Sequence, residues 1–352
     1  MRRCLIWAAI AATALVAGLP TGRVGAVAPR QQLSAPIVAA AERDEAIETL
    51  ASKLSTGYVL PDHVDAIVRA LQNASAAGDF DGKTPKDFVD SVNRTLRAAS
   101  HDKHLNIYHQ PSIAASSAGS PAMTTRERQN FGFNKLERLR GNVGYLEILN
   151  FTDLRPEATG TASGILSTLA NFDALILDVR RNGGGNTPMM AYVASYFFDP
   201  PPVHLTDIYW RDTNQTSEFW TTADIAGRRS ARQPLYLLTS AATFSSAEDF
   251  CYSLQQTKRA TVVGETTGGG AHSGRGLLRL SPSFTAFVPV GRSMSPITKT
   301  NWEGIGVVPD IPASADAALG LAHLRALGVL ADAEKDPQWK QVLLQAIVDL
   351  SK

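Results

Sequence analysis

Four short segments of this chain carry residue types that can do chemistry. The first is Thr239-Ser240-Ala241-Ala242-Thr243-Phe244-Ser245-Ser246-Ala247-Glu248. An apolar run from Leu235 to Thr239 ends in small residues, and a helical pattern begins at Ser246. A serine at such a junction sits at a helix N-terminus, where the positive end of the dipole favours developing negative charge. The order strand, sharp turn, serine, helix follows the logic of a nucleophile elbow, without its G-x-S-x-G sequence. The same residues also read as a capping box, with Ser245 as N-cap and Glu248 as its N3 partner. The second segment is Asp178-Val179-Arg180-Arg181-Asn182-Gly183-Gly184-Gly185-Asn186. Its glycines permit positive φ and close approach, so its backbone N–H groups can face an oxyanion. It reads equally as a tight strand-to-helix turn, and the Lys-Ser/Thr pair of a phosphate loop is missing.

The third segment, Ser100-His101-Asp102-Lys103-His104, places two histidines around an acid. Histidine is the usual base for a serine nucleophile. The trio is also a metal-ligand pattern, but no further ligand cluster accompanies it, and no metal or other cofactor is expected. The fourth, Asn301-Trp302-Glu303-Gly304, offers a carboxylate of the kind that fixes a catalytic histidine's tautomer.

Helices and strands must bring these segments together. Ala39 to Ser55 repeats Ala46, Ile47, Leu50 and Leu54 at helical spacing. Pro61 and Pro85 open two further helices, so residues 36–104 are expected to form a helical N-terminal domain. Ser112 to Pro121 is rich in Ser, Ala and Gly and reads as a linker. Beyond it, strands at Asn142–Leu149, Ala174–Val179, Leu235–Thr239 and Thr261–Gly264 alternate with helices at Ala162–Leu169, Met189–Phe198 and Ser246–Gln256. That alternation predicts an α/β domain over residues 125–315 with a mainly parallel sheet. Leu277 to Val290 alternates as an antiparallel extension, and residues 316–352 read as C-terminal helices.

The chain has 352 residues, 44% hydrophobic and 7% aromatic, with a net charge of +1. It is long enough for a sizeable core, and nothing in its charge points to nucleic acid. Arg2 and Arg3 precede an apolar run from Cys4 to Leu19 that ends near Ala26-Val27-Ala28. This is the pattern of a signal peptide over residues 1–28, which predicts export to a bacterial periplasm or medium. No later stretch is apolar enough to span a bilayer. After the signal, Cys251 is alone, so no intramolecular disulfide is possible, and it reads as a packed residue.

Taken in this order, the four segments resemble the tail-specific (C-terminal-processing) serine peptidases. The similar branch includes interphotoreceptor retinoid-binding protein modules and the catalytic part of the tricorn core protease. The resemblance spans roughly residues 40–312. It rests most on Asp178-Val179-Arg180-Arg181-Asn182-Gly183-Gly184-Gly185 and on Ser245-Ser246-Ala247-Glu248 through Val263-Gly264-Glu265-Thr266. It implies a crotonase-like ββα spiral with the helical domain packed against it. Residues 105–140 are too few for an inserted PDZ domain.

The resemblance also assigns roles. Ser245 falls on the nucleophile. The lysine of the Ser-Lys branch would fall on Gly270, and the serine before the tricorn histidine falls on Lys103. His104 matches the tricorn-branch base, Glu303 is the candidate acid behind it, and His272 is the rival base. Gly184 and Ser246 are the expected oxyanion donors. The implied reaction is hydrolysis of a peptide or protein through an acyl-enzyme. The alternative is a non-catalytic carrier of hydrophobic ligands on the same fold.

Overall fold

The computed structural model describes residues 36–110 and 124–352. The expected signal segment at 1–28 and the linker at 112–121 lie outside the described residues. From Ile37 to Lys352 the chain is one compact unit.

It opens with α1 (Ala40–Gly57), α2 (Pro61–Ala76) and α3 (Pro85–Ser100). Pro61 and Pro85 occupy first-turn positions where the missing N–H costs nothing. Thr84 caps α3 by accepting from Asp87 N. The helical faces bury Leu50, Leu54, Ile67, Leu71, Phe88 and Leu96 in one cluster. That cluster also contains Leu280, Phe284, Ala286 and Val288 from the far end of the chain. The helical segment therefore shares its core with the strands that follow the Gly-rich turn. Strand β1 (Asn106–His109) enters that arrangement directly.

Next come α4 (Thr125–Arg128), β2 (Phe133–Leu139), β3 (Val143–Ile148), α5 (Pro156–Leu169), β4 (Ala174–Asp178) and α6 (Thr187–Ala194). They are followed by β5 (His204–Trp210), β6 (Gln215–Trp220), β7 (Leu235–Thr239), α7 (Ser246–Gln256), β8 (Thr261–Gly264) and β9 (His272–Ser273). The chain ends in β10 (Leu277–Arg279), β11 (Phe284–Phe287), β12 (Gly291–Met294), β13 (Ile311–Pro312), α8 (Ala315–Ala333) and α9 (Pro337–Leu350).

The central sheet has the order β13-β8-β7-β4-β3-β2. It is parallel except where β2 pairs with β3. Strands β4 and β7 are buried on both faces, which is why they read as continuous apolar runs. Leu175, Leu177, Leu235 and Leu237 face α5, α6 and α7, while Ile176, Tyr236 and Leu238 face α8 and α9. Cys251 is buried among the first group. Two small antiparallel sheets flank this layer, in the orders β1-β11-β10 and β6-β5-β12-β9. The mixed α/β architecture agrees with the sequence reading. The β5–β6 pair and the edge strand β2 were not anticipated.

Candidate active site

Ser245 is the N-cap of α7, with φ 58° and ψ −127°. The N-caps of the other described α-helices all have negative φ. A non-glycine residue held in this region stores about 1–3 kcal/mol of strain, and such strain clusters at functional sites. Surrounding bonds hold the turn in place. Ser245 N donates to Glu248 Oε2 at 2.8 Å. Ser245 O accepts from the amides of Glu248 at 2.8 Å and Asp249 at 3.0 Å, and Phe244 N donates to Asn182 O at 3.0 Å. Of the capping pair expected from the sequence, the Glu248 half is present while the Ser245 hydroxyl makes no capping bond, so the turn holds a strained serine rather than an ordinary helix start.

Glu248 is fully buried. It also accepts from Thr267 Oγ1 at 2.5 Å, Gly269 N at 2.6 Å and Gly270 N at 2.8 Å. Burial pushes its carboxyl up, against the hydrogen bonds that draw it down. One carboxylate therefore joins the serine turn to the Gly-rich turn.

Gly270 stands where the resembled branch places its lysine. A Cβ there would lie 2.3 Å from the Phe244 ring and 2.7 Å from His104 Cε1. The two rings pack against each other, tilted by 31° with centroids 4.4 Å apart, and fill the space. Gly270→Lys is therefore expected to displace His104 rather than to create a Ser-Lys pair. If His104 takes part in a reaction, a misplacement of about 1 Å would cost on the order of 100-fold in rate. A loss of that size in serine labelling by a fluorophosphonate checks this.

His104 lines the same cavity as Ser245, a space of about 680 Å³. Its Nδ1 is buried and has no hydrogen-bond partner. Burial pushes the imidazole down to about 4. The Asp102 charge opposes this and the His272 charge adds to it. At neutral pH His104 is thus the uncharged, proton-accepting form. The cavity wall also includes Ile208, Trp210, Phe219 and Phe287, with Lys103 and Arg275 but no carboxylate among the described residues.

Glu303 does not reach His104. Its Oε2 accepts from Ala271 N at 2.5 Å and His272 N at 3.2 Å, and lies 3.7 Å from His272 Nδ1. The acid that meets both histidines is Asp102. Its Oδ2 lies 2.8 Å from His272 Nδ1 and accepts from Tyr58 Oη at 3.0 Å, while its Oδ1 accepts from His104 N at 2.8 Å. Burial works to raise the Asp102 carboxyl, but the His272 hydrogen bond and charge and the His104 amide hold it below the usual range. Burial works to lower His272, but the Asp102 hydrogen bond and charge, helped by Glu303, raise it on balance. Ligand-type atoms of Asp102, His272 and Glu303 lie within 4.8 Å of one another. His272 sits behind the wall to which Ser273, Gly274 and Arg275 contribute.

The glycine loop differs from the expected donor pair at one residue. Gly184 packs on Ser245, and a Cβ on it would lie 2.7 Å from Ser245 Cβ. Its amide, however, donates to Asn182 Oδ1 at 2.8 Å. Gly185 is bridged to Phe151 through the neighbouring Gly184 O and Asn186 N, at 2.9 Å and 2.7 Å. This leaves the Gly185 amide without a partner among the described residues. Gly185 and Ser246 both line the cavity, and Ser246 Oγ donates to Gly185 O at 2.8 Å. Sequence reasoning missed Gly185, Asn182 and the role of Asp102. Asp102 had a visible signal, since it stands between two histidines in the third segment.

Comparison with known proteins bears on the family and the fold. The model of Peptidase family S41 matches residues 142–313. Carboxyl-terminal-processing peptidase 2, chloroplastic, from Arabidopsis thaliana is 28% identical over 172 residues, 48% of this chain and 32% of that protein. The chain thus spans about a third of that relative's length. Among solved structures, a photosystem II D1 C-terminal processing protease superposes with TM-score 0.52 at 15% identity, covering 80% of this chain and 95% of that one. The tricorn protease superposes with TM-score 0.51 at 13% identity, covering 88% of this chain and 37% of that one. Both share the fold. The matched segment, residues 142–313, carries the glycine loop, Ser245, the Gly-rich turn and Glu303.

Proposed function

We propose that this protein is a serine peptidase with Ser245 as nucleophile and His104 as general base. The observation that carries this reading is a strained serine at a helix N-terminus opening on the same cavity as a neutral histidine. A ligand carrier has no use for that strain. Ser245 Oγ bonds to the peptide carbonyl carbon while His104 takes its proton. The amides of Gly185 and Ser246, rather than the expected Gly184 and Ser246, face the oxyanion. Collapse breaks the C–N bond, His104 protonates the leaving amine, and water then cleaves the ester by the same route in reverse. The aromatic and aliphatic cavity wall suits a peptide with a bulky apolar side chain.

Export belongs to the same proposal. It is supported by the basic residues and apolar run of the N-terminal stretch.

The test is fluorophosphonate labelling with the adduct mapped by mass spectrometry. An adduct on Ser245, lost in His104→Ala, supports the peptidase. Folded protein that takes no label supports the hydrophobic-ligand carrier. The base works only when neutral, so kcat/KM is expected to hold above pH 5 and to fall about tenfold per pH unit below about 4. A pH series on a chromogenic peptide checks this.

A further inference from the structure

His104 has a base's position but lacks a base's usual partner. In a serine-histidine-acid site the carboxylate receives the imidazole's second nitrogen, fixes the tautomer and stabilises the cation. Here that nitrogen is buried and unpaired. The nearest acid, Asp102, is occupied on both oxygens, by the His272 ring and Tyr58 hydroxyl on one side and by the His104 amide on the other. Glu303 holds the backbone of Ala271 and His272, and so fixes the strand from which the His272 ring projects.

We propose that the Asp102–His272 pair, not Glu303, sets the position and base strength of His104, with His272 acting as a positioning residue that takes up the Asp102 carboxylate. This rests on the peptidase reading above. Asp102 pins the His104 backbone through one oxygen while His272 neutralises its other oxygen. His104 therefore works beside a carboxylate already held by a histidine ring rather than beside a free one. The groups acting on His272 are Asp102, Glu303 and Arg292, and Tyr58 acts on Asp102 through its hydroxyl. Those near His104 are Asp102 and His272. Its chain neighbour Lys103 turns its Nζ to Gly268 O.

The proposal predicts shifts of opposite sign. His272→Gln removes a cation near His104 and leaves Asp102 unneutralised, so the His104 titration moves up by about one pH unit. Asp102→Asn removes the anion and moves it down. The experiment follows the imidazole carbon and nitrogen signals by NMR in protein with labelled histidine. The Ser245→Ala background makes the reading independent of any hydrolysis. In protein without the second substitution, His272 is expected to titrate above His104, a comparison that needs no variant at the pair.

Opposite shifts with that order support the proposal. Unmoved His104 titrations, shifts of one sign, or the reversed order overturn it. The same His272→Gln change in otherwise native protein is expected to keep fluorophosphonate labelling at Ser245, with the acid limb moved upward. Labelling lost at every pH in folded His272→Gln would make His272 the base and sink the proposal. If the native protein takes no label, the peptidase reading fails, while the NMR titrations still decide the electrostatic pair.

Discussion

Ser245→Ala is expected to lower peptide hydrolysis by at least about 10⁴-fold, the scale on which nucleophile removal acts when the rest of the site survives. The backbone predicts a second, separable effect. At φ 58° and ψ −127° the residue occupies a region that glycine enters without a Cβ penalty. Ser245→Gly should therefore be equally inactive yet more stable than Ser245→Ala by about 1 kcal/mol. Paired melting curves measure the difference. An active Ser245→Ala protein would remove Ser245 from the chemistry, and a glycine variant less stable than the alanine one would show that the turn is not strained.

The largest stability effect is expected at Glu248. Glu248→Ala leaves the amides of Ser245, Gly269 and Gly270 and the Thr267 hydroxyl without their acceptor in a buried place. Each orphaned donor costs about 1–3 kcal/mol, and relaxation of the turn recovers part of the sum. A loss of about 3–5 kcal/mol follows, together with loss of Ser245 labelling. Glu248→Gln keeps one acceptor oxygen but turns an NH₂ group toward donors, so it should be destabilised less while still losing labelling. Urea denaturation of the two variants tests the ranking. A fully stable Glu248→Ala protein would mean the turns hold each other by other means.

The elements that could be read in the sequence are those whose partners are local. The α7 start was legible because Ser245 and Glu248 stand three residues apart, and β4 and β7 because burial on both faces makes a strand apolar throughout. β2 was not legible. It is an edge strand whose residues after Phe133 are mostly exposed, so it carries no apolar signature. Within the site, the residue types were visible but their pairings were not. Asp102 and His272 are 170 positions apart, and no periodicity links them. The resemblance pointed Glu303 at His104, yet Glu303 is taken up by the amides of Ala271 and His272, and His104 Nδ1 is left without a partner. Which of three consecutive glycines offers a free amide depends on the direction of each peptide plane. That direction is set here by Asn182 and Phe151, and identical residues do not encode it.

His104 follows the end of α3 and Ser245 begins α7, with most of the sheet between them in the chain. A fragment cut anywhere between β3 and β7 has one half of the reaction on each piece. On the proposed peptidase reading, such a cut would end the activity of the copy that receives it. When one copy clips another between these points, the products cannot clip a third unless the pieces stay together, so self-digestion at high concentration should slow and stop instead of accelerating.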